Sequence, residues 1–381
     1  MIIRRQLSDL FNNMMVSYSK HMYNHRFDVD YKSAARFLAK HPQPELSQED
    51  KDAIDQYWRK FGIKHPDYSW YQMFYGVTGI HDPRFIPDIF AYPPILNYYN
   101  DKSSILGWED KNLFDQLIPA IKFPPVLAHI YKGNVYDKQW NYYSDDRLQQ
   151  LCDSIFEEIS DHHSLILKPT KATHAGKNVR LITVDKPEDV MTAITQSRKF
   201  DCILQHRLRQ CDFMAQFCST SINIFRVVTW RHKGKIEVLS TSIRYGIEGH
   251  HTDVAYVNGE EIVNTVGVNR DGTVNERFVS FRGHGEKPEH FNQVKIPNFE
   301  AVIDMAKLGH QYLHPFGIVA WDITIDQDNQ PVCIEYNLNR PGTKLYQFAN
   351  GPLAGDLTDE FLSFLLRDGN LERYFPAKYR I

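Results

Sequence analysis

The sequence predicts an α+β fold with antiparallel sheets and a mostly helical N-terminal region. Three observations support this prediction. Helical patterns fill residues 1–61, and from residue 108 onward strands and helices interleave without a strict βαβ period. Two runs of β-branched and aromatic residues at 317–337 flank a cluster of turn formers, which predicts a β-hairpin.

The N-terminal region is predicted to contain three helices, LSDLFNNMMVSY, YKSAARFLAKH and SQEDKDAIDQYWRKF. Ser47, followed by Glu49 and Asp50, is a start signal for the third helix. Residues 65–108 are rich in Pro, Tyr and Asp, which favours irregular connecting structure with short helices.

Beyond Trp108 the predicted elements alternate. The predicted helices are DKNLFDQLIPAI from Asp110, DDRLQQLCDSIFEEIS, KPEDVMTAITQSR and NFEAVIDMAKLGHQYLH. The predicted strands are SLILKP, DCILQH, NIFRVVTWRH and KIEVLSTSIRYG.

Composition excludes several classes of protein. Lys and Arg number 44 against 47 acidic residues, so net charge gives no argument for binding nucleic acid or an anionic membrane. No segment approaches the roughly 20 apolar residues needed to cross a bilayer, and the N-terminus lacks the apolar core of a signal peptide. Five cysteines without C-x-x-C spacing suggest neither a disulfide framework nor a zinc site. We therefore expect a cytoplasmic protein with small buried thiols.

The predicted hairpin places like charges across from each other. A turn centred between Asp328 and Asn329 pairs Asp322 with Glu335 and puts Asn337 on the same face. The same register predicts one apolar face that contains Val319, Trp321, Ile323, Ile325, Val332, Ile334 and Tyr336.

Two opposed carboxylates repel unless a positive group lies between them. Such hard oxygen ligands suit Mg²⁺, which takes one or two carboxylates together with water and substrate phosphate. Asp322, Glu335 and Asn337 therefore indicate half of a metal-nucleotide site, while an ordinary surface hairpin with acidic residues in water explains the pattern equally well. An EF-hand loop is excluded, because the glycine and glutamate that it requires are missing.

Lys168 ends an apolar strand and precedes a polar loop that contains Gly176. The loop is not a Walker A motif, since Lys171 stands where the first glycine is required. Backbone N–H groups of such a loop can cover phosphates beside a strand-borne lysine. The alternative is a surface lysine at a hairpin edge.

Arg226 and Arg244 lie within otherwise apolar strands, and Asn223 precedes the first of them. An arginine in a strand usually has a fixed anionic partner, either a ligand phosphate or carboxylate or a structural acid. His250 and His251 point to opposite faces of a strand and cannot easily serve one metal ion, so we interpret them as loop or substrate-side residues.

Taken in order along the chain, these residues resemble the ATP-grasp superfamily. The chain is most similar to the branch of sugar-transfer-associated ATP-grasp proteins. The resemblance covers roughly residues 100–365 and is carried by DKNLF, SINIFRVVT, SIRYG, LGHQYLH, VAWDITIDQDNQPVCIEYN and GPLAGDLTDEF. It implies two α+β subdomains that clasp ATP, at residues 106–205 and 206–381, after a helical region of unknown role at 1–105.

The resemblance also implies roles for residues that bind the nucleotide. Two lysines bind ATP phosphates in that family, and they correspond to Lys111 and Lys168. The family holds adenine by the backbone of a connecting strand, which implies Gln205, His206, Arg207 and Leu208. Asn223 is implied as a ribose contact.

The metal and catalytic positions follow in the same way. The family's Mg²⁺ ligands correspond to Asp322, Glu335 and Asn337. Its arginine that faces the transferred phosphate corresponds to Arg244, with Arg226 assisting it.

The implied activity is ATP-dependent ligation of a carboxylate to an amine through an acylphosphate, with ATP and Mg²⁺ as cofactors. The family name suggests a sugar acid in surface polysaccharide biosynthesis and an association with glycosyltransferase pathway enzymes. Two alternatives remain: a kinase that phosphorylates a hydroxyl, and a non-catalytic nucleotide-binding partner of a glycosyltransferase system.

Overall fold

The computed structural model describes residues 33–381 except residues 65, 162, 172–177, 258–259, 293 and 340, and it describes residue 93 without its side chain. The first predicted helix, LSDLFNNMMVSY, and Gly176 of the predicted phosphate loop therefore lie outside the described residues.

The chain forms two compact units. One contains the described residues up to Asn97 together with Gly355–Ile381, and the other is Tyr98–Ala354. This grouping differs from the predicted third part, 206–381, because the end of the chain joins the helical first unit. Local sequence patterns do not reveal such a return of the chain.

The α-helices are mostly short. Numbered along the chain, they are α1 (Ser33–Lys40), α2 (Gln48–Arg59), α3 (Tyr68–Thr78), α4 (Asp88–Phe90), α5 (Leu96–Tyr99), α6 (Lys102–Trp108), α7 (Phe114–Leu117), α8 (Leu148–Glu158), α9 (Pro187–Ser197), α10 (Asp212–Ala215), α11 (Phe299–Tyr312), α12 (Lys344–Asn350), α13 (Thr358–Leu362) and α14 (Asn370–Tyr374). None of the described helices has the length and hydropathy needed to span a lipid bilayer.

The strands all belong to the second unit. They are β1 (Val126–Tyr131), β2 (Asn134–Asp137), β3 (Tyr142–Tyr143), β4 (Ser164–Pro169), β5 (Arg180–Thr183), β6 (Cys202–His206), β7 (Ile224–His232), β8 (Lys235–Tyr245), β9 (Ala255–Val257), β10 (Glu260–Ile262), β11 (Asn264–Val268), β12 (Val274–Ser280), β13 (Gly283–His284), β14 (Ile318–Ile325) and β15 (Pro331–Asn337).

Two large antiparallel sheets organise these strands. One has the order β3-β2-β1-β6-β4-β5 and the other β13-β12-β11-β8-β7-β14-β15, while β9 and β10 form a separate ribbon. Apolar residues of α8 and α9 pack on the six-stranded sheet, and those of α11 pack on the seven-stranded sheet. The predicted mixture of helices and antiparallel sheets is confirmed.

The first unit has an aromatic core. The rings of Phe74 and Phe85 stack with centroids 4.8 Å apart, and the indole N–H of Trp58 donates to the Tyr71 hydroxyl. Helix α2 begins as predicted, because the Ser47 hydroxyl accepts from the Asp50 N–H and the Asp50 carboxylate accepts from the Ser47 N–H.

Two predictions for helices were less accurate. Helix α3 has 11 residues and is longer than the short helices predicted for the otherwise irregular stretch 65–108; four of its six buried residues are aromatic. The segment DKNLFDQLIPAI forms only a 3₁₀ turn at Lys111–Leu113 followed by α7. Asp110 does begin this segment, since its carboxylate accepts from the Asn112 N–H at 3.1 Å.

The hairpin of β14 and β15 follows the predicted register only in part. Asp322 lies opposite Glu335 as predicted, but a β-bulge then pairs Ile323 with Cys333. The extra residue reverses the alternation beyond it. Cys333 joins the core, whereas the placement of Val332 and Ile334 on the apolar face is wrong.

The five cysteines are free and buried, as predicted. They are Cys152, Cys202, Cys211, Cys218 and Cys333.

Gly309 in α11 allows the helix to approach the sheet. A Cβ atom on Gly309 would lie 2.6 Å from the buried Trp321 ring. We expect Gly309→Ala to lower the free energy of unfolding by about 1–3 kcal/mol through overpacking. Gly107 in α6 has open space around it, so Gly107→Ala should raise that free energy by about 0.5–1 kcal/mol. Urea denaturation measures both, and equal effects would contradict this packing.

Candidate functional site

The acidic face of the β14–β15 hairpin is the centre of the site. Asp322 and Glu335 are directly opposite each other, so both side chains leave the same face of the seven-stranded sheet. Asn337 shares that face, and its Nδ2 donates to Asp322 Oδ2 at 3.3 Å. The structure thus brings together the three residues predicted as metal ligands.

Two lysines lie close to Glu335, one in the six-stranded sheet and one in the 3₁₀ turn before it. Lys111 Nζ lies 3.2 Å from Glu335 Oε2, and Lys168 Nζ lies 3.5 Å from the carbonyl oxygen of Ile334. Lys168 belongs to β4, and the Lys111 N–H donates to the carbonyl of Thr170 just after that strand. The two predicted phosphate-binding lysines are therefore held side by side.

Burial and mutual repulsion set the charge states of this cluster. Burial, followed by the charge of Lys111, lowers the pKa of Lys168 to about 8. Burial opposes ionisation of Glu335, but the ammonium groups of Lys111 and Lys168 outweigh it and lower the pKa of this carboxyl to about 2. Burial raises the pKa of Asp322 to about 6, against the attraction of Arg226. At pH 7 the site therefore holds two carboxylates and at least one lysine charge beside them.

Arg226 is fixed on Asp322. Its Nε and Nη2 both donate to the carboxylate, the latter at 3.0 Å, and its Nη1 donates to the carbonyl of Pro341 at 3.0 Å. The guanidinium also lies over the ring of Tyr346, 5.8 Å from its centroid. Arg226 therefore has a structural acid as its partner, and that acid is Asp322, one of the predicted metal ligands.

Arg244 also has an acid partner. Its Nη2 lies 2.6 Å from Asp253 Oδ2, and both side chains are mostly buried. Asp253 follows His251 and Thr252, and all three line the same cavity as Asp322 and Glu335. His251 therefore lines the cavity, and its role on the substrate side stays a prediction.

That cavity contains most of the predicted site. Its described lining includes Lys111, Lys168, Gln205, His206, Leu208, Asp322 and Glu335. Arg207 lines a neighbouring cavity of about 250 Å³ whose wall also includes Leu208. The first cavity has a volume of about 140 Å³. This volume alone is too small for a nucleotide.

The connecting strand is held in place at the predicted hinge. Gln205 Nε2 donates to the carbonyl of Pro124 at 3.1 Å, and His206 Nε2 lies 3.1 Å from Glu158 Oε1. These side-chain contacts connect β6 to the segment just before β1 and to α8.

Asn223 does not support the predicted ribose contact. Its Nδ2 donates to the carbonyls of Met214 and Cys218, and its Oδ1 accepts from the Ser221 hydroxyl and the Gly246 N–H. The residue is fully buried. Both donors and the acceptor are used within the fold, so Asn223 instead fixes the turn before β7.

Three features of the candidate site were not predicted from the sequence. Ile334 lines the cavity because of the β-bulge. Glu109 accepts from the N–H groups of Leu338 and Asn339, directly after Asn337. Asp110 forms an ion pair with Lys171 at 3.0 Å. The adjacent acids Glu109 and Asp110 before a short helical turn indicate helix capping. The sequence pattern does not indicate their contacts with residues far along the chain.

The oxygen donors of the site fit a magnesium ion bound with a nucleotide. Among the described residues no group of three or more His, Cys, Asp and Glu side chains could hold a metal ion on its own. Two carboxylates and an amide match the few protein ligands that Mg²⁺ takes when phosphates complete its coordination. Arg226 and Lys111 occupy the carboxylates here and balance their charge.

The chain matches a known protein family. The sequence profile of a family described as sugar-transfer associated ATP-grasp matches residues 95–360. Among curated proteins no significant match is found.

Solved structures show distant similarity. The ATP-grasp ligase PsnB, complexed with minimal precursor, aligns with 70% of this chain and 63% of its own length, at 10% identity and a TM-score of 0.41. D-alanyl-alanine synthetase A from Vibrio cholerae aligns with 71% of this chain and 66% of its own, at 12% identity and a TM-score of 0.39. N5-carboxyaminoimidazole synthetase from Staphylococcus aureus, complexed with ADP, aligns with 66% of this chain and 51% of its own, at 12% identity and a TM-score of 0.38. This chain thus spans between 51% and 66% of these proteins, and similarity this distant leaves their activities as properties of those proteins alone.

The lowered pKa of Lys168 predicts a pH dependence of stability. The folded chain loses this proton above about pH 8, whereas the unfolded chain holds it to about pH 10, so wild-type stability should rise between these values. Lys168→Met removes the buried charge and should be more stable than wild type by up to about 3 kcal/mol at pH 7, with the difference vanishing near pH 10. Urea denaturation across this range measures it, and parallel curves for the two proteins would contradict the prediction.

Proposed function

This chain belongs to the sugar-transfer-associated ATP-grasp family, and on that premise we propose that it is an ATP-dependent ligase that joins a carboxylate to an amine. One observation carries the proposal. Lys111 and Lys168 converge on Glu335, opposite Asp322, in a cavity that the predicted adenine-binding strand also lines. Clustered charge of both signs at such a cavity is typical of a phosphate and metal site.

In the proposed site each charged group has a distinct role. Asp322, Glu335 and Asn337 hold Mg²⁺, which when bound neutralises the nucleotide phosphates and orients them. Lys111 and Lys168 bind the phosphates. Their contacts support this role, since Lys111 Nζ lies 3.2 Å from Glu335 Oε2 and Lys168 Nζ lies 3.5 Å from the adjacent carbonyl oxygen of Ile334.

The proposed reaction has two steps. A carboxylate oxygen of the substrate attacks the γ-phosphorus of ATP, the bond from that phosphorus to the β,γ-bridging oxygen breaks, and ADP leaves. The amine nitrogen then attacks the acyl carbon of the acylphosphate, inorganic phosphate leaves with the C–O bond electrons, and the nitrogen loses a proton. The net products are an amide, ADP and phosphate.

Arg244, Arg226 and Lys168 stabilise the negative charge in this scheme. Lys168 lines the cavity itself, and Arg244 forms an ion pair with Asp253, which also lines it. Positioned donors of this kind are typically worth about 3 kcal/mol each in a water-excluded site. Arg226 acts mainly through Asp322, because its donors are already used on that carboxylate and on Pro341. It is therefore best described as a residue that positions Asp322.

Adenine is proposed to bind along Gln205, His206, Arg207 and Leu208. Gln205, His206 and Leu208 line the cavity with the two lysines. We further propose residues 106–205 and 206 onward as the two subdomains that clasp ATP.

The substrate class is a finer proposal. The family description associates these proteins with sugar transfer, so we propose a sugar acid as the carboxylate, in surface polysaccharide biosynthesis in the cytoplasm and alongside glycosyltransferases.

We expect Glu335→Gln to lower Mg-ATP turnover by about 100-fold or more while the protein stays folded, because the variant loses a carboxylate charge that would help to hold the metal ion. ADP release measures turnover, and circular dichroism checks the fold. Asp328→Asn is the matched control, since Asp328 is an exposed acid in the turn of the same hairpin. Equal turnover in the Glu335→Gln variant and wild type would remove the metal site from this proposal.

Product analysis tests the reaction itself. Mass spectrometry of mixtures containing the protein, Mg-ATP, sugar acids and amines should reveal an amide formed together with ADP. A stable phosphoester without an amine would instead indicate the kinase. No product in any mixture would favour the non-catalytic nucleotide-binding partner.

A further inference from the structure

The chain leaves the seven-stranded sheet directly after the acidic hairpin. The last pair between β14 and β15 is Ala320 opposite Asn337, so the N–H groups of Leu338 and Asn339 lie beyond the ladder. Both donate to one oxygen of Glu109, at 2.5 and 3.0 Å. The Glu109 carboxylate therefore holds the backbone at the point where strand pairing ends.

The backbone held by Glu109 joins two groups of the candidate metal site. On one side is Asn337, whose Nδ2 donates to Asp322 Oδ2 at 3.3 Å. On the other side is Pro341, whose carbonyl oxygen accepts from Arg226 Nη1 at 3.0 Å. Arg226 in turn donates to the Asp322 carboxylate. Both ends of this stretch of backbone thus act on the same carboxylate.

Glu109 reaches this backbone from a distant part of the sequence. It follows α6, and its own N–H donates to the carbonyl of Ile105 at 2.9 Å. It lies two residues before Lys111, whose Nζ is 3.2 Å from Glu335 Oε2. Hydrogen bonds to an ionised carboxylate are stronger than those to a neutral acceptor. Glu109 therefore forms a strong connection between the turn that carries Lys111 and the end of the hairpin.

Asn100 holds the same backbone by a different atom. Its Nδ2 donates to the carbonyl of Leu338 at 2.7 Å. That bond fixes the carbonyl, whereas the N–H groups of Leu338 and Asn339 donate to Glu109. Loss of Glu109 would leave two backbone donors without their acceptor. The peptide directly after Asn337 would then be free to shift.

We propose that Glu109 is a positioning residue for Mg²⁺: it fixes the backbone after Asn337 and so keeps the metal-binding face around Asp322 in its productive arrangement. The inference rests on the proposed function, because it concerns the same Mg-nucleotide site. Glu109 acts through the residues that it holds and touches neither the metal nor the nucleotide. Side chains that orient metal ligands in this way typically contribute about 10- to 100-fold to metal affinity.

The test measures how ADP binding depends on Mg²⁺. ADP is titrated calorimetrically into the full-length protein at a series of Mg²⁺ concentrations and in EDTA. Glu109→Ala should raise the Mg²⁺ concentration that gives half of the maximal tightening about tenfold. It should leave ADP binding in EDTA unchanged, because Lys111 and Lys168 remain. Chelation of Mg²⁺ by free ADP is the same in every titration, so a difference between variants comes from the protein.

Two conservative variants separate hydrogen bonding from charge. Glu109→Gln keeps an oxygen that can accept from both N–H groups, and its Mg²⁺ dependence should stay within about threefold of wild type. Glu109→Asp keeps the charge but is one methylene too short to reach, so it should resemble Glu109→Ala. It also decides the question if Glu109→Ala does not fold. The reverse pattern, with Glu109→Asp like wild type and Glu109→Gln impaired, would overturn the inference, since charge alone would then matter.

Asp137→Ala is the matched control. Asp137 Oδ1 accepts from the N–H groups of Gln139 and Asn141, both at 2.9 Å, in the turn between β2 and β3. Asp137 is absent from the described lining of the candidate-site cavity. Both alanine variants should lower the melting temperature, because each leaves two N–H groups without an acceptor. Only Glu109→Ala should change the Mg²⁺ dependence.

The outcomes separate this inference from the proposed function. A wild-type protein that does not bind ADP, or binds it without any response to Mg²⁺, would contradict the proposed function and this inference with it. A wild-type response to Mg²⁺ that Glu109→Ala and Glu109→Asp both retain would overturn the inference alone. In that case a lowered melting temperature would assign Glu109 to the stability of the fold.

Discussion

The opposition of Asp322 and Glu335 across β14 and β15 is the constraint on which the site depends. Two carboxylates directly opposite each other would repel and destabilise the hairpin. In the free protein Arg226 compensates Asp322, while Lys111 compensates Glu335. The site thus has two cations that neutralise it without a metal ion. A metal ion that entered the site would compete with Arg226 and Lys111 for the two carboxylates. Metal binding would therefore be coupled to Lys111, which is proposed to bind phosphate.

The positions of these groups depend on contacts between segments far apart in sequence. Lys111 comes from a short turn tied to Thr170, at the end of the strand that carries Lys168. Glu109, two residues earlier, accepts from the N–H groups that follow Asn337. Asn100 adds a further connection, since its buried amide bonds to the backbone of Ile318 and Leu338. One segment before the first sheet therefore holds both Lys111 and the acidic hairpin.

The sequence predicted the fold class and most of the long elements, because amphipathic helices and β-branched strands have strong local periods. It also predicted Asp322 opposite Glu335. It did not predict the β-bulge that turns Ile334 toward the cavity, since a bulge has no local signature in this hairpin. The ribose role of Asn223 failed for a similar reason. Tertiary hydrogen bonds decide whether the amide of Asn223 faces a ligand or the backbone of a turn. The spacing of residues in the sequence does not predict those bonds.

The central claim is that the acidic hairpin face and the two lysines form one Mg-nucleotide site. A crystal structure with Mg²⁺ and a non-hydrolysable ATP analogue tests it most directly. The account predicts the metal on Asp322 and Glu335, with the phosphates beside Lys111 and Lys168. A nucleotide bound elsewhere, with both carboxylates still held by Arg226 and Lys111 and no metal between them, would contradict it.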